Sequence, residues 1–244
     1  MITHITCYKN EMILSVIIPT YNEGAGIRNT IERLWQHDEA QLIKEIIIAD
    51  GGSIDNTRAE ANSEGVTITI SPQKGRAAQM NFGASLASGD VLYFLHADTI
   101  PPINFTQDIR TAIDSGYDAG CYRLSFDHGH WFLKANSWFT RFDVNAFRYG
   151  DQSLFVTKKK FESTGGFSEK HIVMEDHHLI KRLKKPGRFK IIKKPVITSA
   201  RKYVQNGVYK TQAIFYLIYF MYRMGFSQQK LLTIYRRLIK QDKL

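Results

Sequence analysis

A continuous apolar run, Val91-Leu-Tyr-Phe-Leu95, ends on His96-Ala97-Asp98. A short apolar stretch bounded by turn signals reads as a buried strand, and a carboxylate at its carboxyl end sits where open α/β sheets bind ligands. A hard divalent cation carrying phosphates takes oxygen ligands of this kind, so Asp98 is the first candidate for a metal-diphosphate anchor. Two more acids fall at equivalent places: Glu23 after the run Leu14-Ser-Val-Ile-Ile18, and Asp50 after Ile43-Lys-Glu-Ile-Ile-Ile-Ala49. In a doubly wound sheet these ends converge on one crevice, and acids gathered there predict a polar binding site. The segment Asp50-Gly51-Gly52-Ser53 also reads as a turn and helix-cap signal in its own right.

Positioning those acids takes alternating strands and helices. The first run closes on Pro19, after which Ile27, Ile31, Leu34 and Trp35 recur at helical spacing. A helix opening near Asp55 follows the second strand, Val66-Thr-Ile-Thr-Ile70 is the third, and a helix from about Gly75 carries Ala78, Phe82 and Leu86 on one face. This alternation predicts a parallel sheet covered on both faces, because parallel strands need crossover connections. Past Pro101-Pro102 the pattern changes to a helix from about Phe105 to Ser115, then Tyr122, Leu124 and Phe126 at period two. An aromatic-rich segment from His130 to Tyr149 leads to a short strand, Ser153-Leu-Phe-Val156, and a Gly165-Gly166-Phe167 turn before a helix beginning near Glu175. Basic strands around Ile191-Ile192 and Val196-Ile197 follow. Two helices close the chain, with Leu231, Leu232, Tyr235, Leu238 and Ile239 marking the buried face of the last.

The chain has 244 residues, 43% of them hydrophobic, enough for one sizeable core, and nothing in it reads as a linker. A single domain over 1–244 is expected, with 13–100 and 101–200 as its two halves and 201–244 as a C-terminal helical extension. Lys and Arg number 33 against 23 Asp and Glu, a balance of +10 that favours an anionic partner. The basic residues are spread along the chain without a recognition-helix motif, which argues against nucleic acid. Cys7 and Cys121 are far apart and lack metal-ligand spacing, so a reducing cytoplasm fits best. Residues Met1 to Met12 lack the apolar core of a signal peptide. The most apolar later window, Ala213 to Tyr222, is about half the roughly 20 residues needed to span a bilayer. Trp131, Phe132, Trp138, Phe139, Phe142 and Phe147 line an acceptor groove, dip with the Ile214 to Tyr222 helix into a membrane face, or simply pack in the core. Peripheral contact with the inner face of the membrane is therefore among the expectations.

Four segments carry a resemblance. Val16-Ile-Ile-Pro-Thr-Tyr-Asn-Glu23, Ile48-Ala-Asp-Gly-Gly-Ser-Ile-Asp-Asn-Thr57, Gly75-Arg-Ala-Ala-Gln-Met-Asn81 and Leu95-His-Ala-Asp98 resemble, in order and spacing, the nucleotide-sugar half of family 2 glycosyltransferases of the GT-A fold. The similarity runs from about Leu14 to Arg201. It implies a mainly parallel, mixed α/β sheet with helices on both faces, and a nucleotide diphosphate sugar as donor, a UDP-sugar being favoured. Pro19, Tyr21 and Glu23 would then border the nucleoside, Asp50 would accept a hydrogen bond from the base, and Asp55 would start a helix and order the loop. Lys74 and Arg76 would face the diphosphate, whose geometry suits a forked, permanently charged guanidinium. A solvated basic loop is the plainer reading of that pair. Gln79 and Asn81 lie further into the same helix, and one of them would reach sugar or ribose. The family's metal motif has aspartates two apart, and the first is His96 here; Asp98 keeps the metal role with Mg²⁺ or Mn²⁺, while His96 faces ribose or pyrophosphate or ligates through a ring nitrogen.

The same resemblance extends into the second half. Gly165-Gly-Phe-Ser168 followed by Met174-Glu175-Asp176 resembles the family's turn and acidic helix start, from which one carboxylate takes the proton of an acceptor hydroxyl during inverting transfer. Asp176 is the first choice for that base and Glu175 the reserve, although a helix N-terminus alone also favours acids. His178 stands where many relatives have another acid. Tyr149-Gly150-Asp151-Gln152 looks like an acceptor-side loop in which Asp151 holds a sugar hydroxyl. Thr198-Ser-Ala-Arg-Lys-Tyr203 distantly resembles the Gln-x-x-Arg-Trp element of processive members with only the arginine in place, so processive polymerisation is not expected, while Arg201 would contact the leaving diphosphate. The expectation is thus an inverting, metal-dependent glycosyltransferase whose hydroxyl acceptor is a lipid or polysaccharide precursor; a non-catalytic, membrane-associated nucleotide-sugar binder is the alternative.

Overall fold

All seven residues of Leu14–Thr20, strand β1, are buried, because Val16 and Ile18 feed a core on one side of the sheet while Ile17 feeds another on the opposite side. That two-sided burial is what an apolar, β-branched strand in the middle of a covered sheet requires. The computed structural model describes residues 12–148, 150–185 and 188–240; the lead-in before Met12, Cys7 and Tyr149 lie outside them. After β1 come α1 (Ile27–Gln36), β2 (Ile43–Asp50), α2 (Thr57–Ala61), β3 (Val66–Ile70), α3 (Arg76–Leu86) and β4 (Val91–Phe94). The second half continues with β5 (Thr99–Ile100), α4 (Phe105–Asp114), β6 (Ala119–Phe126), α5 (Trp131–Phe139), β7 (Leu154–Thr157), α6 (Lys158–Thr164), α7 (Glu175–Lys184) and β8 (Phe189–Thr198). It ends with α8 (Arg201–Asn206), α9 (Val208–Arg223) and α10 (Gln228–Leu238).

The strands form one eight-stranded sheet in the order β3-β2-β1-β4-β7-β6-β8-β5. β1 pairs in parallel with β2 on one side and β4 on the other, and β2 pairs in parallel with β3. The chain therefore leaves β1 in one direction and returns on the other side, which opens a crevice at the carboxyl ends of β1 and β4. Beyond β4 the sheet is mixed, with antiparallel β4–β7 and β6–β7 pairs and a parallel β6–β8 pair. This is the expected α/β class. α1 and α4 pack through Ile27, Ile31, Leu34, Phe105 and Ile109 on one face, and α3, α6 and α7 through Ala77, Met80, Phe161, Leu179 and Leu183 on the other.

Three local expectations are corrected. α3 buries Ala77, Ala78, Met80, Gly83 and Ala84, whereas Leu86 is 46% exposed and Phe82 is only half-buried. A helix lying close on a sheet presents its small residues inward. The segments around Ile191-Ile192 and Val196-Ile197 are one strand, β8, whose pairing with β6 skips from Ile192 to Pro195 and so leaves Lys193-Lys194 as an irregularity. Among the described residues three helices follow β8, since α8 precedes the two anticipated ones. No helix among the described residues is long and apolar enough to cross a membrane.

Phe155 on β7 is fully buried, and Gly120 on β6 makes room for it: a Cβ there would stand 2.4 Å from the ring. Removing a ring from so closed a site leaves a cavity that the sheet cannot collapse into. Phe155→Ala is expected to lower the free energy of unfolding by about 3–5 kcal/mol, read from urea denaturation monitored by circular dichroism.

Candidate functional site

The carboxylate of Asp50 organises the loops that follow β1 and β2. It is fully buried and accepts hydrogen bonds from Thr20 Oγ1 at 3.1 Å, the Gly52 amide at 3.0 Å, the Ser53 amide at 2.8 Å and the Ser53 hydroxyl. Its expected contact with a nucleobase is therefore corrected: the oxygens are turned into their own loop and do not face the cavity. From there the two loops are laced together. The Asn22 amide donates to Ser53 Oγ at 2.9 Å, the Glu23 amide to Thr57 Oγ1 at 2.8 Å and the Gly24 amide to Asp55 Oδ2 at 3.0 Å. Asp55 orders the loop as anticipated, and although burial raises its pKa, the hydrogen bonds from Thr57 and Gly24 bring it below the ordinary value. Gln79 from α3 donates to the carbonyls of Thr20 and Ala49, at 2.8 and 2.7 Å, so its amide nitrogen braces the strand ends. Asn81, further into the same helix, clasps the backbone of Phe167 through both its amide atoms.

Above this floor lies a cavity of about 1000 Å³. Pro19 reaches it from the end of β1, Tyr21 and Glu23 from the loop that follows, Lys74, Arg76 and Gln79 from the start of α3, His96 and Asp98 from just past β4, Asp151 from the loop before β7, and Arg201 from α8. The switch point thus brings together ten of the residues singled out from the sequence. Lys74 Nζ sits 5.9 Å from the centroid of the Tyr21 ring. The backbone beside Asp98 is fixed by Thr30, whose hydroxyl donates to the Ala97 carbonyl at 2.6 Å, and by the Ser199 amide, which donates to the Asp98 carbonyl at 3.1 Å.

Charges in the cavity alternate. Arg76 Nε lies 3.4 Å from Glu175 Oε1, and Glu175 holds the guanidinium above the usual arginine range. Glu175 is only 2% exposed and its carboxyl is pushed up by burial against the pull of Arg76. The reserve choice for a base is thus turned onto Arg76 and positions it. His96 Nδ1 is 2.9 Å from Asp151 Oδ1. Burial lowers the imidazole pKa, yet the bond to Asp151 leaves it raised overall; conversely, burial raises Asp151 and His96 brings it down to about 2. Arg201 Nη2 lies 3.6 Å from Glu23 Oε2 and 3.9 Å from Asp98 Oδ2.

Burial, then the charges of Asp151 and Glu23, raise the Asp98 carboxyl, which is the condition of a group short of positive charge. That donor chemistry fits a hard cation. Among the described residues no group of three or more His, Cys, Asp or Glu is arranged to hold a metal, so a cation at Asp98 would draw its other ligands from substrate phosphates and water, as Mg²⁺ commonly does.

Asp176, the second residue of α7, is not itself in the cavity lining but stands beside Gly150 next to His96, which is. Its Oδ1 accepts from the His177 amide at 2.6 Å, and its Oδ2 faces Gly150, where a Cβ would come within 2.7 Å of it and 3.1 Å of the His96 ring. The bare glycine is what lets carboxylate, imidazole and loop share that space. The loop is anchored by Arg148, a fully buried guanidinium donating to Thr140 O at 2.9 Å, to Gln152 Oε1 at 3.3 Å and to Phe142 O. Sequence reasoning missed Arg148 and also the wall contributed by the last three helices, where Lys202, Phe215, Leu232, Arg236 and Lys240 line the cavity. The four-residue spacing of Leu232 and Arg236 was the available signal, because it puts them on one side of α10.

The profile described as Glycosyl transferase family 2 matches residues 15–173, more than half of the chain. The chain belongs to glycosyl transferase family 2. Glucosyl-3-phosphoglycerate synthase of Mycobacterium tuberculosis is 30% identical over 104 residues, covering 38% of this chain and 31% of the relative. Undecaprenyl-phosphate 4-deoxy-4-formamido-L-arabinose transferase of Proteus mirabilis is 30% identical over 133 residues, covering 51% of this chain and 40% of the relative. The match spans under half the length of each of these curated relatives. S. aureus TarS 1-349 in complex with UDP has a TM-score of 0.63 at 16% identity, covering 77% of this chain and 60% of that one. The mycobacterial synthase in complex with Mn²⁺, UDP and phosphoglyceric acid has a TM-score of 0.58 at 18% identity, covering 77% and 71%. These likenesses establish the GT-A fold.

One position in this family 2 chain departs from an acidic expectation: His178 stacks on His171 with ring centroids 4.0 Å apart, and its Nδ1 is buried without a hydrogen-bond partner. Burial, followed by the charges of His171, Arg182, Lys181 and His177, lowers its pKa to about 4. The unfolded chain, with a value near 6.5, takes up the proton first as pH falls, so stability drops between pH 6.5 and about 4 and levels off below. In urea titrations across that range His178→Gln is expected to flatten part of the drop; an unchanged pH profile would remove His178 from the account.

Proposed function

We propose that this chain transfers a sugar from a nucleotide diphosphate donor, with UDP favoured, to an acceptor hydroxyl with inversion at the anomeric carbon. The observation that carries the reading is the single cavity at the β1/β4 switch point, into which Tyr21, Arg76, His96, Asp98 and Arg201 converge. The nucleoside lies along Pro19, Tyr21 and Glu23, and the diphosphate against Lys74, Arg76 and the N-terminus of α3, whose first turn carries no acid and no side-chain cap. Mg²⁺ or Mn²⁺ held by Asp98 would supply further positive charge to the departing diphosphate. Mn²⁺ accompanies UDP in the mycobacterial synthase, which supports this part of the reading.

In the transfer the acceptor oxygen bonds to the anomeric carbon as the bond from that carbon to the diphosphate oxygen breaks. Asp176 takes the hydroxyl proton, and Arg76 and Arg201 meet the negative charge gathering on the leaving group. Asp151, held by His96, orients a sugar hydroxyl. The acceptor enters along the arm lined by Lys202, Phe215, Leu232, Arg236 and Lys240, where cations beside apolar side chains suit a lipid or polysaccharide precursor bearing an anionic group. In this division the donor end is built by 13–100 and the acceptor end by the remainder, and the two widely spaced cysteines fit a reducing cytoplasm.

Thermal-shift titrations of UDP-, GDP- and dTDP-sugars with and without Mn²⁺ test the donor. Wild type is expected to be stabilised by a nucleotide sugar more strongly with Mn²⁺, and Asp98→Ala to lose the metal-dependent part; equal affinities in the two proteins would overturn the assignment of Asp98. Asp176→Asn is expected to keep donor binding while turnover falls about 10²–10⁴-fold. Donor binding by wild type without transfer to any hydroxyl acceptor would favour a binder over an enzyme.

A further inference from the structure

α9 is amphipathic in an unusual sense. Its buried stripe includes Thr211 and Gln212 beside Ile214, Ile218 and Met221, while its outer stripe is aromatic. Tyr209 is 55% exposed, Tyr216 48%, Phe220 59% and, just past the helix, Met224 64%. The steps of seven and four residues between them place all four on one side of the helix. α5 lies alongside: Tyr216 Oη donates to Asn136 Oδ1 at 2.9 Å, and the Phe132 and Tyr209 rings are 4.9 Å apart. α5 adds Trp131 at 65% and Trp138 at 46% exposure to the same side of the molecule. So many large exposed apolar side chains on two touching helices exceed the scattered ones normal on a soluble surface.

Cations border this surface. Lys134, Arg141, Lys210 and Arg223 are exposed, Arg141 lies 4.4 Å over the Trp138 ring, and neither α5 nor α9 contains an aspartate or glutamate. Rings with Lys and Arg around them match the headgroup region of a bilayer, where the aromatic bodies enter the acyl boundary and the cations meet lipid phosphates. A second copy of the chain fits less well, since each copy carries +10 and neither helix offers an acid to the other. We propose that the outer face of α5 and α9 seats the protein on an anionic lipid bilayer. The docking stands on the surface alone and does not require the transfer reaction. Phe215 of α9 lines the cavity, so one helix separates the bilayer from the acceptor arm.

Vesicle flotation tests it, using the full chain with liposomes of phosphatidylcholine alone and of equal parts phosphatidylcholine and phosphatidylglycerol. Wild type is expected to float with the anionic vesicles, to bind neutral ones more weakly, and to release as salt rises. Lys210→Gln with Arg223→Gln should weaken partitioning to anionic vesicles about twenty-fivefold, or about fivefold per cation. Trp131→Ser with Phe220→Ser should weaken binding to both vesicle types. All four side chains are exposed, so the variants are expected to melt at the wild-type temperature, which circular dichroism checks. Failure of wild type to bind anionic vesicles at low salt, or equal binding by every variant, overturns the proposal. So does a concentration-dependent dimer in light scattering that Phe220→Ser abolishes, because that face would then belong to a second copy. Loss of flotation with sugar transfer to a water-soluble acceptor intact would defeat the docking and leave the enzymatic reading standing.

Discussion

A buried carboxylate holds the loops after β1 and β2 together. Asp50 ends β2 with its oxygens committed to Thr20, Gly52 and Ser53, and Ser53 passes the connection on to the Asn22 amide. Two loops that would otherwise leave adjacent parallel strands independently are thereby locked in register. An unmatched carboxylate at such depth would cost several kcal/mol, on the order of a large part of a domain's net stability, so the loops have little freedom to adopt another arrangement. Tyr21, Glu23 and Gly51 line the cavity as a consequence of that constraint. Gln79 strengthens it from below by bonding to the carbonyls on both strand ends.

Several charges in and beside the cavity stand opposite a partner. Glu175 faces Arg76, Asp151 faces His96, and Arg201 spans Glu23 and Asp98. Such pairing fixes side chains in a partly dry site and keeps Arg76 charged at every accessible pH. Burial, with Asp151 and Glu23 nearby, still leaves Asp98 with a raised pKa, a group whose ionised form gains from added positive charge. That arrangement suits the ligand proposed above, a diphosphate bound together with a cation.

The first half of the fold was legible because β-branched runs and helical spacing alternate cleanly there, and the switch point followed from that order. Elsewhere, tertiary packing overrode local pattern. Phe82 and Leu86 look like the inward face of α3, yet close approach to the sheet selects Ala77, Gly83 and Ala84, with Gly83 leaving room for Ile17. Lys193, Lys194 and Pro195 look like a break, yet β8 absorbs them as an irregularity against β6. Asp50 shows the limit of residue type as a guide, because a carboxylate beside two glycines suits either a ligand contact or a loop lock, and only its burial distinguishes them. Arg148 was invisible for a related reason: nothing in its neighbours announces that a guanidinium will be fully buried and bonded to the carbonyls of Thr140 and Phe142.

The last three helices bring their own small apolar clusters, one joining Ile214, Ile218, Tyr235 and Ile239, the other joining Leu133, Ala200 and Tyr203, both distinct from the two cores that flank the sheet. A wall with separate interior packing can change its outline while the strand-end floor stays as it is. Divergence in what such a scaffold glycosylates therefore has an inexpensive route: substitutions within a C-terminal cap that rebuild one side of the pocket and leave the loops after β1 and β2 undisturbed.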